Sequence, residues 1–147
     1  MTFAAPNPSL HIAVIEDEDD VRVGLQNLLE HWGHRVEVAG NGLLGVELIV
    51  RSRPDVALLD IGLPGIDGYA VARRIRDTLG EQSPRLIALS GFAQDEDRVR
   101  SLQAGFDVHL VKPPNLDELR NALAPPPGRE VDSPSSPKIC APLPAVK

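Results

Sequence analysis

Glu16 and Asp17 stand at the end of an apolar run, HIAVI, and open the acidic stretch Glu16-Asp17-Glu18-Asp19-Asp20. Further apolar runs end on Asp60, on Ser90-Gly91 and on Lys112-Pro113. If these ends share one rim, at least two carboxylates from the first run meet a third from Asp60, a hydroxyl and an ammonium. Two carboxylates about 4 Å apart repel by roughly 4 kcal/mol at an effective dielectric near about 20. Three together need either raised pKa values or a cation among them. Oxygen-only ligands with room for water suit a hard divalent ion such as Mg²⁺. Lys112 adds positive charge from the opposite side. A carboxylate between a metal and a lysine is arranged to accept an incoming anion. Phosphoryl transfer fits, because its catalysis is mainly positioning and neutralisation of the equatorial oxygens.

Each residue also has an ordinary role. Asp19, Asp20 and largely Glu18 suit the N-terminus of a first helix through its dipole. Asp60 alone could form a turn before Gly62 and Pro64, Ser90-Gly91 a loop exit, and Lys112 a solvated lysine. Glu16 and Asp17 precede the helix, so the chemical reading gains there. Its strength lies in four strand ends carrying the right groups together.

The positioning elements follow from periodicity. His11–Ile15, Arg35–Val38, Asp55–Leu59, Leu86–Leu89 and Val108–Val111 read as strands. Helical spacing recurs in Val21, Leu25, Leu28 and Trp32, and in Ala72, Ile75 and Leu79. It recurs in Val99 with Leu102 and in Leu116, Leu119 and Leu123, and more weakly in Leu44 and Leu48. Asn41 and Asp67 can cap helix starts, Asn115 with Glu118 resembles a capping box, and Gly80 is a stop. Five β-then-α units with continuous apolar strands imply a parallel sheet covered on both faces. Ligands of such sheets bind beyond the carboxyl ends of the strands, where the acidic groups fall.

The chain has 147 residues, 42% of them hydrophobic, enough for one domain with a sizeable core. Its formal net charge of −6 and pI near 5.1 argue against a nucleic-acid partner. No apolar run reaches membrane-spanning length and Met1–Ser9 lacks a signal-peptide pattern, so a cytoplasmic address without membrane contact is expected. The single cysteine, Cys140, excludes an internal disulfide and reads as an incidental thiol. Half of the 14 prolines follow Leu123. The expected organisation is a flexible N-terminus at 1–9, a folded unit at 10–124 and a proline-rich disordered tail at 125–147. No output module is expected after Leu123.

The segments HIAVIEDEDDVR, DVALLDIGLPGIDGYAVARRIR, LIALSGFA and GFDVHLVKPPNLDEL closely resemble the receiver domain of two-component response regulators, over nearly the whole folded unit. The resemblance implies a flavodoxin-like (βα)5 fold, an α/β doubly wound parallel sheet with strand order 2-1-3-4-5. It implies Asp60 as phospho-acceptor, with Asp17, Asp60 and the backbone carbonyl of Gly62 as Mg²⁺ ligands and Glu16 acting indirectly. Ser90 takes the place of the switching hydroxyl and Lys112 that of the lysine paired with a phosphoryl oxygen, its bond to Pro113 being cis. The implied donor is a histidine kinase or histidine phosphotransfer domain, and the product would bias the face of the fourth helix, fifth strand and fifth helix toward an unknown protein target. His109 stands where the family has an aromatic switch residue, and Pro114 replaces a bulky apolar residue. Glycine at 62 and phenylalanine at 92 offer no polar side chain to a hydrolytic water, so slow self-dephosphorylation is expected. Such a domain is a phospho-accepting signalling element, not an enzyme. It would be stand-alone, which the initial methionine favours, or cut from a hybrid kinase. Phosphorylation-driven homodimer formation is left open.

Gly40-Asn41-Gly42-Leu43-Leu44-Gly45 matches the G-x-G-x-x-G pattern of dinucleotide-binding turns. That alternative leaves Glu16, Asp17 and Lys112-Pro113 without a task. Two others are a phosphorylation-independent pseudo-receiver and an aspartyl-phosphate hydrolase. The intact acidic pair, Asp60, Ser90 and Lys112 oppose the first. Against the second, so short a chain offers no cap and no second general acid.

Overall fold

The computed structural model describes residues 9–91 and 95–123. The readings of Phe92, Cys140 and the tail lie outside them. Five strands form one parallel sheet: β1 (His11–Ile15), β2 (Arg35–Ala39), β3 (Val56–Asp60), β4 (Arg85–Ser90) and β5 (Val108–Val111), in the order β2-β1-β3-β4-β5. The helices are α1 (Asp19–His31), α2 (Gly42–Ser52), α3 (Gly68–Leu79), α4 (Asp95–Ala104) and α5 (Leu116–Leu123). The flavodoxin-like order implied by the resemblance is the one observed. The chain divides after Pro114 into a unit holding the sheet with α1–α4 and a second unit holding α5.

Side chains alternate across a strand, and the three central strands β1, β3 and β4 bury both faces. Ala13, Ile15, Ala57, Leu59, Leu86 and Ala88 cluster with Leu48 and Ile49 of α2, with Val71, Ala72, Ile75 and Leu79 of α3, and with Ala104 and Phe106. Ile12, Val14, Leu58, Ile87 and Leu89 are equally buried but stand outside that cluster. On that side α1 packs against β1 and β2 through Leu25 and Leu29.

Local signals set the helix ends. Asn41 and Asp67 accept from the amides of Leu44 and Ala70, both at 2.9 Å. Asn115 accepts from Asp117 and Glu118 at 2.8 and 3.2 Å, starting α5. Gly80 closes α3 with φ of 56°, a conformation that glycine adopts without a Cβ clash.

In α4, α1 and α5 the buried positions differ from the periodic reading. Val99 and Leu102 are 51% and 65% exposed, and α4 turns Ser101 and Ala104 inward instead. Both pairs have i, i+3 spacing, so periodicity could not separate them. The smaller pair lets the helix sit closer, and the Ser101 hydroxyl is satisfied by a hydrogen bond. In α1 the inward pair is Leu25 and Leu29, one position away from the expected Leu28. Leu116 of α5 is exposed while Leu119 and Leu123 are buried.

The glycines of the Gly40–Gly45 stretch have packing duties. A Cβ on Gly42 would come within 2.5 Å of Ile66 Cγ1 and 2.8 Å of its carbonyl oxygen, and one on Gly45 within 2.7 Å of Ile15 Cγ2. The spacing that mimics a nucleotide fingerprint is therefore accounted for by the close approach of α2 to its neighbours.

Candidate functional site

The ladder hydrogen bonds continue past the strand ends and carry the chemical residues into one place. Glu16 N–H donates to Ala39 O at 3.1 Å, Ile61 N–H to Leu89 O at 2.9 Å, and Lys112 N–H to Ser90 O at 2.7 Å. Residues far apart in sequence are thus fixed at the carboxyl edge of the sheet. The start of α3 presses on the same edge. Gly68 lies so near β3 that a Cβ there would sit 2.6 Å from Asp60 O and 2.7 Å from Ile61 Cα.

Carboxylate oxygens of Glu16, Asp17 and Asp60 all lie within 4.8 Å of one another. Glu16 is fully buried and Asp60 is 6% exposed. Lys112 Nζ sits 2.8 Å from Glu16 Oε1 and 3.2 Å from Asp60 Oδ2. The other carboxylate oxygens take backbone donors: Glu18 N–H reaches Glu16 Oε2 at 3.1 Å, and Gly62 N–H reaches Asp60 Oδ1 at 3.0 Å. Arg22 donates to Glu16 O at 3.0 Å and pairs with Asp19, bracing the turn between β1 and α1.

Burial pushes the Glu16 carboxyl above the usual carboxylate range, and the Asp60 charge adds to it, although Lys112 and the Glu18 amide pull the other way. Burial pulls the Lys112 ammonium down, but its hydrogen bond to Glu16 and the charges of Asp60 and Glu16 outweigh that and hold it above its ordinary value. Lys112 is therefore the fixed positive charge of the pocket. One ammonium against three carboxylates leaves an excess of negative charge. The donor set is all oxygen and partly open at Asp17, so a hard divalent cation fits.

Ser90 is buried at the end of β4, with its Oγ 2.7 Å from His109 Nε2 on β5. His109 Nδ1 lies 2.8 Å from Ser101 Oγ. Ser101 and Gly68 escaped the sequence reading. A polar residue three positions before Ala104 on a helix is a faint signal, and the glycine directly after the Asp67 cap a stronger one.

The structure thus brings together Glu16, Asp17, Asp60 and Lys112, with Gly62 bonded to Asp60, while Ser90 and His109 form an adjoining pair. Among the described residues, no helix is long and apolar enough to cross a membrane.

The profile described as "Response regulator receiver domain" matches residues 12–124. Transcriptional regulatory protein AfsQ1 of Streptomyces coelicolor is 45% identical over 106 residues, covering 72% of this chain and 45% of that protein. Response regulator MprA of Mycobacterium ulcerans is 39% identical over 111 residues, covering 76% of this chain and 47% of that protein. The chain spans about half the length of the curated relatives it matches. Among solved structures, the receiver domain of sensor histidine kinase PA1611 from Pseudomonas aeruginosa superposes with a TM-score of 0.71 at 33% identity, covering 79% of this chain and 95% of that one. That structure has a magnesium ion coordinated in its active site cleft. The names of the curated relatives lend no support to excluding nucleic acid as a partner of a longer regulator.

Proposed function

Because the chain belongs to the family of response regulator receiver domains, we propose that Asp60 accepts a phosphoryl group from a histidine kinase or histidine phosphotransfer protein. The observation that carries this reading is the convergence of Glu16, Asp17 and Asp60 with the Lys112 ammonium at one sheet edge. A carboxylate oxygen of Asp60 attacks the phosphorus of a phosphohistidine. The new P–O bond forms as the P–N bond breaks, and the leaving imidazole keeps the electron pair and takes a proton from solvent. The Gly62 amide orients Asp60 through Oδ1, and Lys112 balances charge on the transferring oxygens. Asp17, Asp60 and the Gly62 carbonyl would hold Mg²⁺, with Glu16 completing the acidic wall. When bound, the ion supplies further positive charge to the phosphoryl oxygens.

The acyl phosphate adds about −1.5 to −2 charge if it behaves like other phosphorylated side chains. Ser90 and His109 are the groups that register it and change a protein-interaction surface. The domain is a cytoplasmic signalling element, its own chemistry limited to phosphoryl uptake and slow loss. For this chain alone the charge of −6 favours a protein target over nucleic acid.

Intact-protein mass spectrometry after incubation with acetyl phosphate, with and without Mg²⁺, tests the assignment. One phosphoryl adduct that requires Mg²⁺ and vanishes in Asp60→Asn is the expected result. A folded, metal-loaded protein that takes up no phosphoryl group would point instead to a pseudo-receiver.

A further inference from the structure

Ser90, His109 and Ser101 form a hydrogen-bonded row that runs from the edge of the acidic pocket to α4. Ser101 is 1% exposed, so its hydroxyl is committed to this interior position. A surface cavity of about 190 Å³ borders the row, lined in part by Arg98, Ser101, Leu102, Phe106 and His109. A change in how the ring is held would therefore be felt at an exposed surface.

We propose that Ser101 is a positioning residue that ties α4 to Ser90 through His109, and that phosphoryl capture at Asp60 fixes the direction of every hydrogen bond in the row. The inference rests on Asp60 being the phospho-acceptor and on Ser90 reaching its phosphoryl group. Its chemistry follows from donor counting. Phosphoryl oxygens only accept, so Ser90 must give them its hydrogen. Ser90 Oγ then faces His109 as an acceptor, and Nε2 must carry the ring proton. A neutral imidazole has one N–H, so Nδ1 must accept and Ser101 must donate. The result is a one-way chain, Ser101 to His109 to Ser90 to phosphoryl, in which each bond polarises the next. Taken by themselves, the two bonds of the row permit the reverse direction as well before phosphorylation, with Ser90 donating to Nε2 and Nδ1–H donating to Ser101. The anion removes that freedom and seats α4 on β5. An aromatic hydrocarbon ring at 109 could transmit only shape, whereas this row also transmits proton position.

The test uses the full chain with ¹⁵N-labelled histidine. Long-range ¹H–¹⁵N spectra of His109 and amide spectra of α4 are recorded before and after acetyl phosphate with Mg²⁺, with intact mass followed in parallel. The phosphorylated wild type should show the Nε2–H tautomer and shifted α4 amides. Ser101→Ala should still take up the phosphoryl group but lose the fixed tautomer and the α4 shifts, and Ser101→Thr should restore both. Full α4 shifts in phosphorylated Ser101→Ala, or an Nδ1–H tautomer or imidazolium in the phosphorylated wild type, would overturn the relay and leave the phospho-acceptor reading standing. No mass adduct on the wild type would overturn both. If Ser101→Ala does not fold, His109→Phe replaces it: loss of the α4 shifts supports the relay, and their retention refutes it.

Discussion

Adding one methyl group at two glycines should change stability in opposite directions. Gly24 lies in α1, exposed, with nothing within 4 Å of a Cβ built on it. Replacing glycine by alanine inside a helix gains about 1 kcal/mol. Gly24→Ala should therefore raise the unfolding free energy by about that amount. Gly68 opens α3, and its Cβ would meet Asp60 O at 2.6 Å and Ile61 Cα at 2.7 Å. Overpacking costs roughly 1–3 kcal/mol. These obstacles are backbone atoms of a buried strand, which cannot rotate aside, so the upper end applies. The propensity gain at the first helical position offsets at most about 1 kcal/mol of it. The net for Gly68→Ala is a loss of about 2 kcal/mol, or a fall in Tm of roughly 10 °C for a domain near 100 residues. Urea and thermal denaturation of both variants read these changes. Because the strain falls on the carbonyl of the phospho-acceptor, Gly68→Ala should also slow uptake from acetyl phosphate, while Gly24→Ala should not. A Gly68→Ala protein as stable as the wild type would refute the reasoning, because it would mean that α3 does not bear on Asp60 as described.

The remaining expectations concern a lifetime and an acid response. A Cβ on Gly62 would stand 3.7 Å from Asp60 Oδ1, so Gly62→Asn places a polar group where a hydrolytic water could be held. Phosphoryl loss, followed by intact mass after removing acetyl phosphate, should be faster in that variant, and equal rates would show that the open space at 62 does not set the lifetime. His34 is held below its ordinary value of 6.5 by burial, and its Nδ1 accepts from Leu10 N–H at 3.1 Å. A folded pKa below the unfolded one means that the unfolded chain binds more protons in that window. The contribution is complete above pH 6.5 and is lost as pH falls through the lower folded value. His34→Asn keeps an acceptor without a proton equilibrium, so its stability should fall less steeply than the wild type's below pH 6.5 in parallel urea titrations. Identical slopes would remove His34 from the acid response.

The β-α alternation, the strand ends and the helix caps could be read in the sequence, because they depend on neighbours in the chain. An apolar run of five residues, a cap such as Asp67 or a stop such as Gly80 acts locally. Glu16, Asp17, Asp60, Ser90 and Lys112 stood out because parallel strands must all end on the same edge, so connectivity alone places their last residues together. What spacing could not decide were contacts between elements. Val99 with Leu102 and Ser101 with Ala104 have the same helical interval, and only the fit of α4 onto the sheet, with His109 able to satisfy a buried hydroxyl, selects the second pair. Gly42 and Gly45 carry a pattern that suits phosphate loops, yet what fills the space beside them is Ile66, Val71 and Ile15. Gly68 looks like any residue after a cap until the backbone of Asp60 is found against it. Sequence records which groups are available and how the chain punctuates them. Close approach between distant segments depends on their full three-dimensional packing, and there the tertiary structure decided which glycines are obligatory and which serine is interior.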